Sequence, residues 1–436
     1  MRLGGGANLT AGRRSTPEAL GRHVPMPNPV LEVHIETHAY GGECLARAAD
    51  GRRLFVRGAA PGELVRAQVT EERPSYLRAR TVEVLRPSAL RVTPRCVHFG
   101  ECGGCHLQHL KYSAQLGAKG DVLLEQLRRL GGLETVPLQE AIASPAEWNY
   151  RNHVQFSLAA DGRLGYMRQG SRHVLPIREC HLPEPRLDEI WPALDMREAH
   201  GITQVGLRTD SEGETMVILE GGEAGLPEVE VERPVSVAWI APGRPCSVLV
   251  GQDALHYTVS GQSYTVSPGS FFQINTGLLP TLVERVLALA EVGAGDTALD
   301  VYCGVGLFSA FLAKQAARVV AVEASPSAAE DFEDNLASFD NVELYEATAA
   351  AVLPHLELRP QVAVVDPPRA GIDRAALAGL VGLAPPRIVY VSCDPSTLAR
   401  DARALLAAGY SLAALIPIDL FPQTYHIESI SLWRAP

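Results

Sequence analysis

One side chain in this sequence has the setting of a nucleophile. Cys393 ends the apolar run Arg387-Ile-Val-Tyr-Val-Ser392-Cys393 and is followed by Asp394 and Pro395. That order predicts a buried strand ending on a thiol, then a helix opened by an Asp cap with Pro in the first turn. A thiol there lies at the carboxyl edge of a sheet, where open α/β sheets bind ligands. The helix N-terminus is expected to favour its thiolate. Glu428, in His426-Ile-Glu428, is a carboxylate on a later strand of the same sheet. Upstream, Asp300-Val-Tyr302-Cys-Gly304-Val-Gly306 follows an apolar strand and precedes a helix. Its glycines allow close approach of a ligand, and Glu323, ending the next strand, is placed to accept hydrogen bonds from ribose hydroxyls. Ser309 stands where a full dinucleotide fingerprint has glycine, and a nicotinamide cofactor is the rival ligand for this turn. Cys303 is the competing thiol, and its place within the cofactor turn argues for a backbone role. Asp366, in Val364-Val-Asp366-Pro-Pro-Arg369, begins a rigid turn poor in donors at the same edge.

A second thiol set is Cys96, Cys102 and Cys105, with Cys180 far downstream. Three clustered thiols and a distant fourth suit a four-iron, four-sulfur cluster. Zinc held by four thiolates is the rival. Gly103-Gly104 gives the backbone freedom to wrap a metal.

The elements that must position these groups follow from pattern. The chain has 436 residues, 46% hydrophobic and 20% charged, room for two or three domains. No apolar run reaches a membrane span, no export signal is legible, and the thiols are not arranged as disulfides, so a cytoplasmic protein is expected. Residues 1–28 read as a disordered extension. Residues 29–90 read as an OB-like barrel of short strands near Leu31–Ile35, Leu54–Val56, Leu64–Val69 and Leu77–Leu85. Residues 91–265 form a β-rich central domain with the four thiols. From 266 to 436 strands alternate with helices, which predicts an α/β fold with a largely parallel sheet covered on both faces. Net charge is −11, distributed as +4 over residues 1–200 and −15 over residues 201–436. Ten arginines against four glutamates between Gly51 and Arg95 mark the expected phosphate-facing surface.

Gly304-x-Gly306, Asp366-Pro-Pro-Arg369, Ser392-Cys393-Asp-Pro-Ser-Thr-Leu-Ala-Arg-Asp401 and His426-Ile-Glu428 occur in this order in RNA uracil-C5 methyltransferases, which the chain resembles over nearly its whole length. Ser270-Phe-Phe-Gln273-Ile-Asn275 is similar to that family's Phe-x-Gln-x-Asn element. The resemblance implies a class I (Rossmann-like) methyltransferase domain using S-adenosylmethionine (SAM). It also implies that residues 29–90 are a TRAM domain binding RNA, and that the thiols belong to the iron–sulfur branch acting on 23S ribosomal RNA. It assigns Gln273, Tyr302, Gly304, Glu323 and Asp366 to the cofactor, Cys393 as nucleophile, Glu428 as base, and Cys96, Cys102, Cys105 and Cys180 to a 4Fe–4S cluster. Glu346-Ala347 replaces the family's frequent Gly-Asp after its strand. A uridine in transfer RNA is the alternative substrate. An RNA-binding iron–sulfur protein with a silenced transferase fold is the alternative from another class. Neither membrane nor obligate protein partner is implied.

Overall fold

The computed structural model describes residues 29–196, 201–222, 230 and 232–436. The expected N-terminal extension, residues 1–28, lies outside them.

Five strands, β1 (Val30–Ala39), β2 (Glu43–Arg47), β3 (Arg53–Arg57), β4 (Leu64–Glu72) and β5 (Tyr76–Arg86), close a barrel in the order β1-β2-β3-β5-β4. Alternation sends Val65, Ala67 and Val69 of β4 inward against Val33, Leu54, Val56 and Leu77. The sequence reading missed β2, whose Cys44 and Ala46 complete this core. The arginine block is corrected more deeply. Arg57 and Arg78 pair with buried Glu43, and Arg91 with fully buried Glu63. Arg52, Arg66 and Arg73 pair with neighbouring carboxylates as well. Much of this positive charge is therefore met by carboxylates of the barrel itself.

The cysteine-bearing loop leads into α1 (Tyr112–Arg129). Its apolar side, Val122, Leu123 and Leu127, packs on the C-terminal α/β unit. A central seven-stranded sheet comprises β6 (His153–Leu158), β7 (Leu164–Met167), β8 (Val174–Pro176), β9 (Ile202–Thr209), β10 (Thr215–Gly221), β11 (Ser236–Ile240) and β12 (Ser247–Val250), in the order β12-β11-β10-β9-β6-β7-β8. The short helix α2 (Pro185–Ile190) covers it. The hairpin β13 (Leu255–Val259) and β14 (Gln262–Val266) buries Tyr257 and Tyr264 in the core of the next unit.

That unit holds β15 (Thr297–Val301), β16 (Arg318–Glu323), β17 (Val342–Glu346), β18 (Val362–Val365), β19 (Arg387–Ser392), β20 (Ser411–Ile418) and β21 (Glu428–Arg434). Their order is β17-β16-β15-β18-β19-β21-β20, parallel through β19, with β21 antiparallel between β19 and β20. The helices are α3 (Leu279–Ala290), α4 (Leu307–Ala313), α5 (Pro326–Leu336), α6 (Ala349–Val352), α7 (Arg374–Leu383) and α8 (Pro395–Ala407). Both faces of the sheet carry an apolar core, so strands such as Val362–Val365 are buried throughout. This is the expected α/β architecture. Strand order reverses at β15, and the crevice at its carboxyl end is where such a sheet takes a ligand.

Candidate active site

The turn after β15 is built to leave that crevice open. Tyr302 has φ of 65° and Gly304 55°, a left-handed pair that folds the chain back. The Tyr302 and Cys303 N–H groups donate to the Val322 carbonyl, locking the turn to β16. A Cβ on Gly304 would meet nothing within 4 Å, whereas one on Gly306 would lie 2.4 Å from Leu336 Cδ1. Gly304 thus faces open space and Gly306 allows α4 to pack on α5.

Glu323 ends β16 with its carboxylate partly occupied. Oε1 accepts the Ala324 and Ser325 N–H groups, and Oε2 accepts Gly304 N–H at 2.9 Å. A carboxylate has about four lone-pair sites, so one remains for a ligand hydroxyl. Gripping two hydroxyls, as the sequence suggested, requires one backbone bond to yield.

Asp366 follows β18, and its Oδ2 accepts the Gln273 amide at 3.4 Å. Gln273 is itself anchored through its carbonyl, which accepts from Asn152 of the central domain. Two residues predicted for the cofactor thus meet across elements. Beneath them Asp300 is wholly buried: Oδ2 accepts Ser309 Oγ at 2.6 Å and Oδ1 has no partner. Burial pushes Asp300 up to about 7, with Ser309 pulling it back. Burial and then the nearby Asp300 carboxylate push Asp366 up to about 7.

Cys393 follows β19 directly, and β21 brings Glu428 beside it: Ser392 pairs with Ser429 in the antiparallel ladder. Antiparallel pairing puts the end of one strand against the start of the other, so 35 residues of separation close to neighbouring ladder positions. Cys393 is half-buried and Glu428 is 7% exposed. Burial, followed by Glu428 and Asp366, pushes the Cys393 thiol up to about 12; Arg369 opposes this. Burial, then Asp366, holds Glu428 well above the carboxylate range, against Lys119 and Arg369. The expected thiolate is therefore corrected. In the ligand-free protein burial and the neighbouring carboxylates disfavour the charged form of both groups, outweighing the end of α8.

A wall faces these groups, of which the sequence motifs mark Arg369 and His426 but not Tyr425, Phe421, His106 or Lys119. Arg369 Nη2 donates to His426 Nδ1 at 3.0 Å; burial and that guanidinium hold His426 down at about 3, hence neutral. Tyr425 packs on His426 and His106, and Phe421 packs edge-on to His426. His106 immediately follows Cys105, and the His106 and Leu107 N–H groups donate to the Gln423 carbonyl. Lys119 of α1, buried, donates to Asp419 Oδ1 at 2.6 Å and to the Phe421 carbonyl at 2.9 Å. The cysteine loop and α1 are thus bound to the segment that delivers Glu428. The pattern carried one hint of this, a lysine at the interface of an otherwise amphipathic helix.

Cys105 and Cys180 share an apolar cluster with Tyr150, Trp148 and Tyr166. Cys102 forms a β-bridge with Arg168. His98 N–H lies 3.4 Å from Cys96 Sγ and Gly104 N–H 3.4 Å from Cys102 Sγ. A Cβ on Gly103 would strike the Met167 carbonyl at 2.7 Å, so that close pass requires glycine. The Arg151 guanidinium lies near Cys105 and Cys180, so all four thiols have a donor or a cation close by that would favour a thiolate ligand. Among the described residues, no group of three or more His, Cys, Asp or Glu side chains could hold a metal ion as they stand. No described helix is long and apolar enough to cross a membrane.

Comparison with known proteins bears on this geometry. The "tRNA (Uracil-5-)-methyltransferase" family profile matches residues 235–435, and the TRAM domain profile matches residues 26–82. An uncharacterized RNA methyltransferase of Streptomyces avermitilis is 38% identical, covering 92% of this chain and 97% of that protein. Another, from Aquifex aeolicus, is 37% identical over 93% of this chain and 99% of its own length. The solved structure of Pyrococcus abyssi tRNA (uracil-54, C5)-methyltransferase with S-adenosyl-L-homocysteine shares the fold. It has a TM-score of 0.69 and 24% identity over 92% of this chain and 99% of that one.

Proposed function

Because the chain belongs to the RNA uracil-C5 methyltransferase family, we propose that it methylates C5 of a specific uridine in 23S ribosomal RNA through a covalent adduct on Cys393. The observation that carries this reading is the ladder that sets Cys393 beside Glu428 at the mouth of the crevice.

SAM, held by Gln273, Tyr302, Gly304, Glu323 and Asp366, would supply an electrophilic methyl group. The open face of Gly304 and the spare lone pair on Glu323 suit an adenosyl group. Uracil C5 is a weak nucleophile. Cys393 and Glu428 first lose their protons to solvent; Sγ of Cys393 then adds to C6, and the ring becomes an enolate with its electron pair at C5. That pair forms the new C–CH3 bond. Glu428, as carboxylate, then removes the C5 proton; the electrons restore the C5–C6 double bond and expel Sγ. The target base must leave its stack to reach these groups. Phe271, 65% exposed two residues before Gln273, offers a ring for stacking.

The four thiols would hold a 4Fe–4S cluster. No step above needs an electron, so its role is to fix the loop that is hydrogen-bonded to the Glu428 segment. Ribosomal RNA is favoured by the TRAM barrel together with this cysteine set. A transfer-RNA uridine is the second reading, supported by the name of the matched family and by the Pyrococcus protein. Mass-spectrometric mapping of 5-methyluridine in both RNAs, from cells with and without this gene, tests the proposal. Loss of one methyluridine from 23S RNA is expected. Loss from transfer RNA alone would refute the ribosomal assignment, and loss from neither would refute the activity.

A further inference from the structure

The barrel reaches into the active site through the turn between β1 and β2. Tyr40 Oη donates to Asp394 Oδ2 at 2.5 Å, joining residues 354 apart in sequence. The other oxygen of Asp394 caps α8, accepting Ser396 N–H at 2.8 Å and Thr397 N–H at 3.2 Å. The Tyr40 ring meets Tyr425 edge-on at 6.0 Å. Gly42 seals the contact: its φ is +75°, and a Cβ there would lie 2.8 Å from His106 Cβ and 3.3 Å from Tyr425 Cβ. The turn therefore touches the segment after Cys393 and the segment before Glu428 together.

We infer that Tyr40 is a positioning residue for the nucleophile: the barrel fixes Asp394, and through it the backbone that presents Cys393. This rests on the reading of Cys393 as the attacking group. Among the described residues, Asp394 Oδ2 has no other hydrogen-bond donor. With the phenol gone, Asp394 could turn about Cβ toward the adjacent thiol, and its charge would be less neutralised. The charged groups around Cys393 are Glu428 from β21, Asp366 after β18, Arg369 and Asp394 itself. Three of the four are acids, so freeing one further disfavours the thiolate. A barrel that only gripped RNA would have no need of a bond to the cap beside the nucleophile.

Tyr40→Phe keeps the ring and removes the donor. In the RNA-free full chain, iodoacetamide alkylation of Cys393, followed on its own peptide by mass spectrometry, should slow about tenfold at each pH below the thiol pKa. That corresponds to a one-unit upward shift in thiol pKa. Turnover should fall about tenfold with KM for RNA unchanged. In an Asp394→Asn background, Tyr40→Phe should shift neither quantity. If Tyr40→Phe alkylates at the wild-type rate, or raises only KM, the inference is overturned and Tyr40 is an RNA contact or a packing residue. Cys393→Ala separates the two failures: methylation by that variant would refute the nucleophile itself, whatever Tyr40→Phe does.

Discussion

Glu428→Gln divides the reaction at its last step. The side chain is 7% exposed and burial already keeps it neutral in the ligand-free protein, so an amide of the same size enters the same pocket. The sign of the stability change follows from linkage. A carboxyl whose folded pKa is raised carries no penalty below its unfolded pKa, and a growing penalty as pH rises toward the folded value. The variant should therefore be more stable than the parent at pH 8, and this advantage should vanish as pH falls toward the ordinary Glu range, roughly 4.3. Catalysis moves the other way. A positioned general base contributes about 10²–10⁴-fold, roughly 3–5 kcal/mol of barrier, and here only the elimination uses it. Addition of Cys393 and methyl transfer should continue, leaving one methylated RNA bound per protein. With tritiated methyl donor, denaturing gels should show a labelled protein–RNA band approaching one equivalent while multiple turnover falls at least a hundredfold. Turnover within tenfold of the parent would refute Glu428 as the base. A variant that binds RNA yet forms no adduct would instead place Glu428 before methyl transfer, as the acceptor of the thiol proton.

Three other perturbations probe the surroundings. Asp300→Asn should stabilise the ligand-free protein at pH 8. Asp300 sits at about 7 against an ordinary 3.8, an upper bound of about 4 kcal/mol, from which burying an amide N–H without a partner takes about 2 kcal/mol. The gain in thermal unfolding should close as pH falls through 7 toward 4; a constant gain would refute the linkage. Lys119→Met leaves Asp419 buried without its cation and should cost about 3–5 kcal/mol, with Lys119→Met/Asp419→Leu recovering most of it in urea titration; no recovery would refute a pairwise account. Anaerobically purified protein should contain four iron and four sulfide per chain, lost in Cys180→Ala, as read by metal and sulfide analysis; zinc alone would refute the cluster.

How much the sequence revealed depended on the range of the forces involved. Where one local pattern settles an element, its type comes out directly. Arg318–Glu323, Pro326–Leu336 and Ser411–Ile418 are apolar or amphipathic runs between sharp stops, and they form a strand, a helix and a strand within the alternation expected from residue 266 onward. Strand Glu43–Arg47 was missed because it is five residues long, begins with a charge and is held by partners on both sides. The arginine block looked free because its counter-charges are not local: Arg78 finds Glu43, and Arg91 finds Glu63, across the barrel.

The same difference of range decides the state of Cys393. The local rule sees a cysteine before a helix and expects a thiolate. Burial and two carboxylates brought in by other strands reverse that sign. Asp300, Asp366 and Glu428 all sit above their ordinary range for the same reason, burial first and then, for the latter two, a neighbouring acid. A pocket that stabilises neutral acids in isolation is one in which any added positive charge lowers every one of them together. A ligand carrying positive charge, seated in this crevice, would therefore favour the thiolate. Coupling of this kind protects a half-buried cysteine from adventitious electrophiles, since the thiolate is the reactive form.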